Sequence, residues 1–323
     1  METKQVLIVL IALAVIQVVG IQYKKRNRPT NKPVAQQQEV APIPQVVRDK
    51  KPEITVQNPT RELSLEEIYA VLEQWNKEAP EITSVGIVGK THENRDIKYI
   101  RIGKQNGPKV LIMATIHGNE KLCTMTAISI MNNILKSYLV DEQITELLRT
   151  RDIYYIPVVS PEGYIHNSRH IQGVDPNRNF NGPRMSEKQS IASIQALKKF
   201  AEEQKFDAVM SCHDFGRVYF YPWGYTNNKT GLDADYRRIL GEMASVSRYR
   251  YVQLYRNTAA PFYGYEVDYF HDKGAFAIVN EIGRGFAARP EEIAQEVQDN
   301  QKAFLIFIEK APLVRPAFYS ILK

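Results

Sequence analysis

The chain has 323 residues, of which 44% are hydrophobic and 24% charged, a balance that fits a globular protein and excludes a wholly disordered or collagen-like one. Its net charge of +6 is concentrated at the start, where residues 1–60 hold nine Lys/Arg against four Asp/Glu. The remainder is near neutral and lacks the clustered basic footprint of a nucleic-acid binder.

In chain order, residues 6–21 ("VLIVLIALAVIQVVGI") carry no charge and are followed at once by the basic stretch "QYKKRNR". This is the pattern of a membrane segment or an export signal, placed here at residues 1–27. Residues 28–60 are rich in Pro and Gln, show no apolar period and read as a semi-extended linker. The positive-inside rule applied to Lys24, Lys25, Arg26, Arg28 and Lys32 would keep the following domain cytoplasmic. The tether argues the other way, and an extracytoplasmic domain, secreted if the segment is cleaved, is the expectation.

The domain then opens on "SLEEIYAVLEQW", where Ser64 and Glu67 form a capping box and Leu65, Ile68, Tyr69, Leu72 and Trp75 share one helical face. A hairpin follows over "SVGIVGKTHENRDIKYIRIG". Residues 109–116 ("KVLIMATI") are a near-continuous apolar run of the kind found in a central strand covered on both faces. After a helix through "TAISIMNNILKSYL", the order continues as strand "IYYIPVV", helix "ASIQALKKFAEEQ", strand "DAVMSC", helix "DADYRRILGEMASV", strand "AFAIVNEI" and a final helix from "PEEIAQEV" to about residue 310. This alternation predicts an α/β fold with a mixed central β-sheet sandwiched by helices, as a single domain over residues 61–323. No internal repeat is present. The two cysteines, Cys123 and Cys212, lie in apolar strand-like or helical settings and read as small buried residues rather than a disulfide framework.

Ligands of such sheets bind where strands end and loops begin. His117 follows one apolar run, His213 follows "DAVMSC", and Glu281 closes "AFAIVNE". Two imidazoles and a carboxylate form a ligand set that leaves a fourth position on zinc open for chemistry, and His117 and Glu120 at i and i+3 can reach one ion from a turn, with His213 closing the set. Alone, this spacing is weak evidence. The neighbouring motifs strengthen it: "SPEGYIHNSRHIQGVDPNRNF" at residues 160–180 brings together Arg169, Asn177, Arg178 and Asn179, residue types suited to gripping carboxylates.

Taken together, "HGNE", "GVDPNRNF", "YPWGYT", "NEIGRGF" and the position of His213 resemble the zinc carboxypeptidase family over about residues 61–310. The resemblance implies one zinc per chain held by His117, Glu120 and His213. It further implies Arg169 as the group that polarises the scissile carbonyl, Asn177 and Arg178 as binders of the substrate's terminal carboxylate, and Glu281 as general base. The implied activity is hydrolysis of the carboxyl-terminal amide bond of a peptide, with cell-wall peptides among the candidates, and the implied partner is a peptide with a free terminal carboxylate. Two other readings stand beside it: an amidase- or deacylase-like relative acting on a non-peptide amide, and a catalytically silent module that holds peptide ends.

The chain also departs from the family. Asp214 and Phe215 follow His213 where Ser and Tyr are usual, and the family's mobile tyrosine falls near Ala260, leaving Tyr263 as a candidate for its role. The segment "YEVDYF" corresponds to the wall and base of the pocket for the final side chain, with Glu266 or Val267 there. An inward Glu266 favours an amine-bearing side chain, whereas the alternative has it facing solvent.

Overall fold

The computed structural model describes residues 51–182, 189–258 and 261–312. The apolar segment at residues 1–27 and most of the linker lie outside the described residues. Among the described residues no helix is long and apolar enough to cross a membrane.

The core is one eight-stranded mixed sheet. Its strands are β1 (Thr83–Lys90), β2 (Asp96–Gly103), β3 (Lys109–Ala114), β4 (Asp152–Ile156), β5 (Ala208–Asp214), β6 (Val218–Tyr221), β7 (Arg250–Gln253) and β8 (Phe276–Ile282). They lie in the order β1-β2-β4-β3-β5-β8-β6-β7. The central strands β4, β3, β5 and β8 are parallel, whereas β1, β2 and β6 join by antiparallel pairs. Every residue of β4 and β5 is buried, as expected of strands covered on both faces.

Period-two alternation divides these strands between two cores. Val110, Ile112, Ala208, Met210, Phe276 and Ile278 face one layer, and Leu111, Met113, Val209, Ala277 and Val279 the other. The first layer is built from α1 (Leu65–Glu78), α2 (Lys121–Ser137), α3 (Glu142–Thr150), α6 (Asp233–Ser247) and α9 (Pro290–Lys310). The second contains α5 (Ala192–Gln204) and α8 (Glu266–Asp272). Short helices α4 (Pro161–Ile165) and α7 (Leu254–Thr258) complete the set. The mixed, helix-covered sheet agrees with the sequence reading, and the Ser64–Glu67 capping box is formed.

Strands β6 and β7 and the short helices α4 and α7 do not figure in the sequence reading, and three further features differ from it. Helix α3 was not anticipated, although Asp141 caps it by accepting from Ile144 N and Ile144, Leu147 and Leu148 are buried on one face. The segment "YEVDYF", given no secondary structure in the sequence reading, enters helix α8. The linker also ends sooner than residue 60: Ile54 and Val56 pack on the core, and Asn132 Nδ2 donates to Val56 O at 3.0 Å and to Asn58 Oδ1 at 2.7 Å. The same Asn132 accepts from Trp75 Nε1 at 3.0 Å, so one buried amide ties residues 51–60 to α1 and α2. Both cysteines are free and buried, as expected.

Two glycines set close approaches that shape the site. A Cβ on Gly118 would lie 1.8 Å from the backbone carbon of Gly163, so the turn after β3 can rest against α4 only without side chains there. Gly264, at φ +80°, would place a Cβ 2.4 Å from the Arg178 carbonyl oxygen, and its own carbonyl accepts from Phe180 N at 3.1 Å. The loop before α8 and the loop carrying Arg178 are therefore in backbone contact.

Candidate metal centre

The site forms where β3, β5 and β8 end. His117 and Glu120 lie on the turn between β3 and α2, and His213 is the sixth residue of β5, within the strand rather than after it. In the parallel register His213 is opposite Glu281 of β8. Both follow the alternation that faces the α8 layer, so their side chains share one face of the sheet.

His117, Glu120 and His213 are all buried, and their ligating atoms lie within 4.8 Å of one another. Glu120 offers one oxygen to each imidazole: Oε1 is 2.7 Å from His117 Nδ1 and Oε2 is 2.8 Å from His213 Nδ1. Each ring turns its other nitrogen away. His117 Nε2 meets Asp175 Oδ1 at 3.0 Å, and His213 Nε2 meets Glu266 Oε1 at 2.8 Å. A histidine that donates from Nε2 to a carboxylate keeps the Nδ1 lone pair for a metal. The donor types, their convergence and these outer partners fit zinc in a site with an open position.

Burial and neighbouring groups act differently on three carboxyls of the site. Burial works against ionisation of Glu120, but the two imidazoles outweigh it and hold its carboxyl well below the usual range. Burial works against ionisation of Asp175 too, but the hydrogen bond from His117 and the guanidinium of Arg169 overcome it and hold the carboxyl low. Glu281 behaves oppositely: desolvation pushes its carboxyl up to about 7, although it is the one residue of β8 that is not fully buried. A partly accessible carboxylate poised near neutrality is suited to exchanging protons.

The other sequence-predicted residues gather around this cluster with one exception. Arg169 reaches it directly, with Nη1 3.2 Å from His117 Nδ1 and 3.3 Å from Glu120 Oε1, while Nε and Nη2 bond Asp175 Oδ2 at 3.2 and 3.0 Å. Asn177 is buried; its N–H donates to Asp175 Oδ1 at 2.9 Å and its Oδ1 accepts from Glu266 N at 3.0 Å. Arg178 Nη1 donates to Asn177 O at 2.7 Å, and the guanidinium lies over the rings of Tyr265 and Phe262 at 4.2 and 4.9 Å. Glu266 is fully buried, which excludes the solvent-facing alternative. The exception is Tyr263, which is exposed and stacks on Tyr225 with ring centroids 6.1 Å apart.

Two residues of the site had no role in the sequence reading. Asp175 ties His117, Arg169 and the Asn177 backbone together, and the signal for it was an Asp directly before Pro176 at the head of the 3₁₀ turn Pro176–Arg178. Asp214 was noticed only as a departure. Its Oδ2 accepts from Leu122 N at 2.9 Å, capping α2 in place of Glu120, whose side chain makes no cap bond. Burial and the nearby Glu120 and Glu281 push the Asp214 carboxyl well above the usual range.

A family model described as zinc carboxypeptidase matches residues 68–303, which contain every residue of this cluster. The chain belongs to the zinc carboxypeptidase family. It is 27% identical over 249 residues to carboxypeptidase A4 of Mus musculus, covering 65% of this chain and 59% of that protein. To carboxypeptidase B of Homo sapiens it is 26% identical over 250 residues, covering 65% and 60%. The chain thus spans about half to three fifths of the length of the curated relatives it matches. Among solved structures, thrombin-activatable fibrinolysis inhibitor superposes with a TM-score of 0.72 at 17% identity, over 77% of this chain and 74% of that one. Carboxypeptidase A of Helicoverpa armigera gives 0.65 at 22%, over 76% and 72%. These two likenesses concern the fold.

Membership of the zinc carboxypeptidase family makes the ligand set directly testable. The full chain is expected to bind one zinc, and metal analysis of His213→Ala should show loss of most of it. Full occupancy in that variant would remove His213 from the set.

Proposed function

We propose that this member of the zinc carboxypeptidase family hydrolyses the carboxyl-terminal peptide bond of peptides. The observation that carries the reading is the joining of two units by Asp175 and Glu266: the His117–Glu120–His213 cluster and the Asn177–Arg178 loop. A cation site and a carboxylate-gripping loop set side by side select the last bond of a chain.

Zinc held by His117, Glu120 and His213 supplies Lewis acidity, which acidifies water and polarises a carbonyl. The chain's own residues do the rest. Arg178 and Asn177 hold the terminal carboxylate and fix which amide lies over the cluster, with the rings of Phe262 and Tyr265 flattening the guanidinium into one orientation. Glu281 accepts a proton from the attacking water and delivers it to the departing amine nitrogen, so the proton is conserved as the C–N bond breaks. Arg169, braced by Asp175, presents positive charge beside Glu120, where it offsets charge gathering on the carbonyl oxygen. A filled ligand set together with Glu281 supports catalysis over a silent binding module, and the carboxylate grip supports peptides over substrates without a free carboxyl end.

The natural substrate is set by where the domain works. We place it outside the cytoplasm, held or exported by residues 1–27, with cell-wall peptides as the first substrates to try, because the Pro/Gln-rich stretch suits a cleft held off a membrane surface.

Glu281→Gln should lower kcat by about 10²- to 10⁴-fold with zinc content unchanged; near-parent kcat would remove Glu281 as the base. Arg178→Ala should raise KM for peptides with a free carboxyl end by about 10- to 100-fold, as expected for a lost charge-assisted bond. It should leave residual turnover of amidated peptides unaffected, and equal losses on both would refute the carboxylate grip. Protease added to intact cells should digest the domain; digestion only after permeabilisation would place it in the cytoplasm.

A further inference from the structure

The two imidazoles of the metal centre are oriented alike, each with Nδ1 toward Glu120 and Nε2 toward a second carboxylate. For His117 the second carboxylate is Asp175. For His213 it is Glu266, whose Oε1 lies 2.8 Å from Nε2, with the Ser211 hydroxyl at 3.1 Å from the same nitrogen. We propose that Glu266 is a positioning residue of the metal centre: it accepts the Nε2 proton of His213, fixes the rotation and tautomer of that ring, and so keeps Nδ1 as the ligating nitrogen. The inference rests on the metal reading above and is independent of which bond the enzyme cleaves.

Burial gives the contact its weight. Glu266 is fully enclosed, and a buried carboxylate without a donor is costly. Among the described residues its Oε2 has no hydrogen-bond partner, and the bond from His213 to Oε1 is the one that satisfies the side chain. The position is built from two directions. Residues 209, 211 and 213 of β5 alternate toward the layer that contains α8, which brings Ser211 and His213 to the face where α8 begins. Glu266 is the first residue of α8, and its backbone N–H is held by Asn177 Oδ1 at 3.0 Å. The same residue therefore grips the ligand with its side chain and the carboxylate-binding loop with its backbone. A position so fixed at both ends holds a ligand within the narrow tolerance that metal sites require.

The competing role for Glu266 is recognition of an amine on the substrate's last side chain, and the two roles give different readouts. The test uses the full chain and its Glu266→Ala and Glu266→Gln variants, with His213→Ala as reference. Zinc affinity is measured by competition with a chelator, metal-free thermal unfolding is recorded, and kcat and KM are determined at saturating zinc on peptides ending in Lys and in Leu. Glu266→Ala is expected to weaken zinc binding about 10- to 100-fold, and Glu266→Gln to recover most of this because its amide oxygen still accepts from Nε2. The preference between Lys and Leu ends should not move. Unchanged zinc affinity in Glu266→Ala, or a KM increase confined to Lys-ended peptides, would overturn the proposal. Should the alanine variant fail to fold, Glu266→Met, close in volume and without a carboxylate acceptor, carries the same comparison. If His213→Ala leaves zinc affinity intact, the metal reading itself fails; if only the Glu266 variants do, this inference alone fails.

Discussion

Glu120 divides its two oxygens between two imidazoles, and most of the surrounding architecture serves to keep that arrangement in place. Burying a carboxylate is costly unless positive charge is brought to it, and here the groups that surround it arrive from three directions. His117 arrives from the same turn, His213 from a strand that neighbours β3 in the sheet, and Arg169 from the loop beyond α4. None of these holds its position alone. Asp175 secures both His117 and Arg169, and Glu266 meets His213.

Because Glu120 is committed in this way, it cannot cap the helix it begins. Asp214, the residue after His213, does so from the adjacent strand by accepting from Leu122 N. The first turn of α2 and the end of β5 are thereby joined at the place where each carries a ligand. Backbone contact does comparable work on either side. Gly118 against Gly163 and Gly264 against Arg178 bring chain segments closer than any side chain would allow, one beside the ligands and one beside the Asn177–Arg178 loop. A short motif such as "HGNE" thus encodes a steric requirement as well as two donors.

The parts of the fold legible in the sequence are those governed by periodicity. The limits of α5 and α9 and the buried strands β3, β4, β5 and β8 follow from apolar spacing and turn residues. Helix α3 was passed over because its nine residues fall between a long apolar helix and a strong strand, where a short amphipathic stretch reads as a connection. The seven-residue α8 was missed because its side chains are buried on every side and show no polar face to mark a helical period. The ligands were legible because they end apolar runs and sit in a recognisable motif set. Asp175, Asp214 and the contact of Glu266 with His213 were not, since each acts across at least 50 residues of sequence on a partner that only the sheet order brings near. Tyr263 shows the opposite limit, for proximity in sequence to a family position did not carry its side chain to the ligands.

The two cysteines flank the ligand positions in sequence and are kept out of the centre by the pleat of the sheet and the turn of α2. Cys123 lies three residues after Glu120 and donates from Sγ to the Glu120 carbonyl at 3.2 Å, and Cys212 immediately precedes His213. Only a thiolate is an effective nucleophile or metal ligand, and desolvation raises both thiols far above neutrality. Both side chains belong to the core on the face of the sheet opposite the one His213 lines, so sulfur is not among the donors that converge on the centre. The donors that do converge, two imidazole nitrogens and a carboxylate, are nitrogen and oxygen alone, a set that suits zinc. The same burial keeps both thiols protonated and out of reach of oxidants in solution, so neither is a ready partner for disulfide exchange.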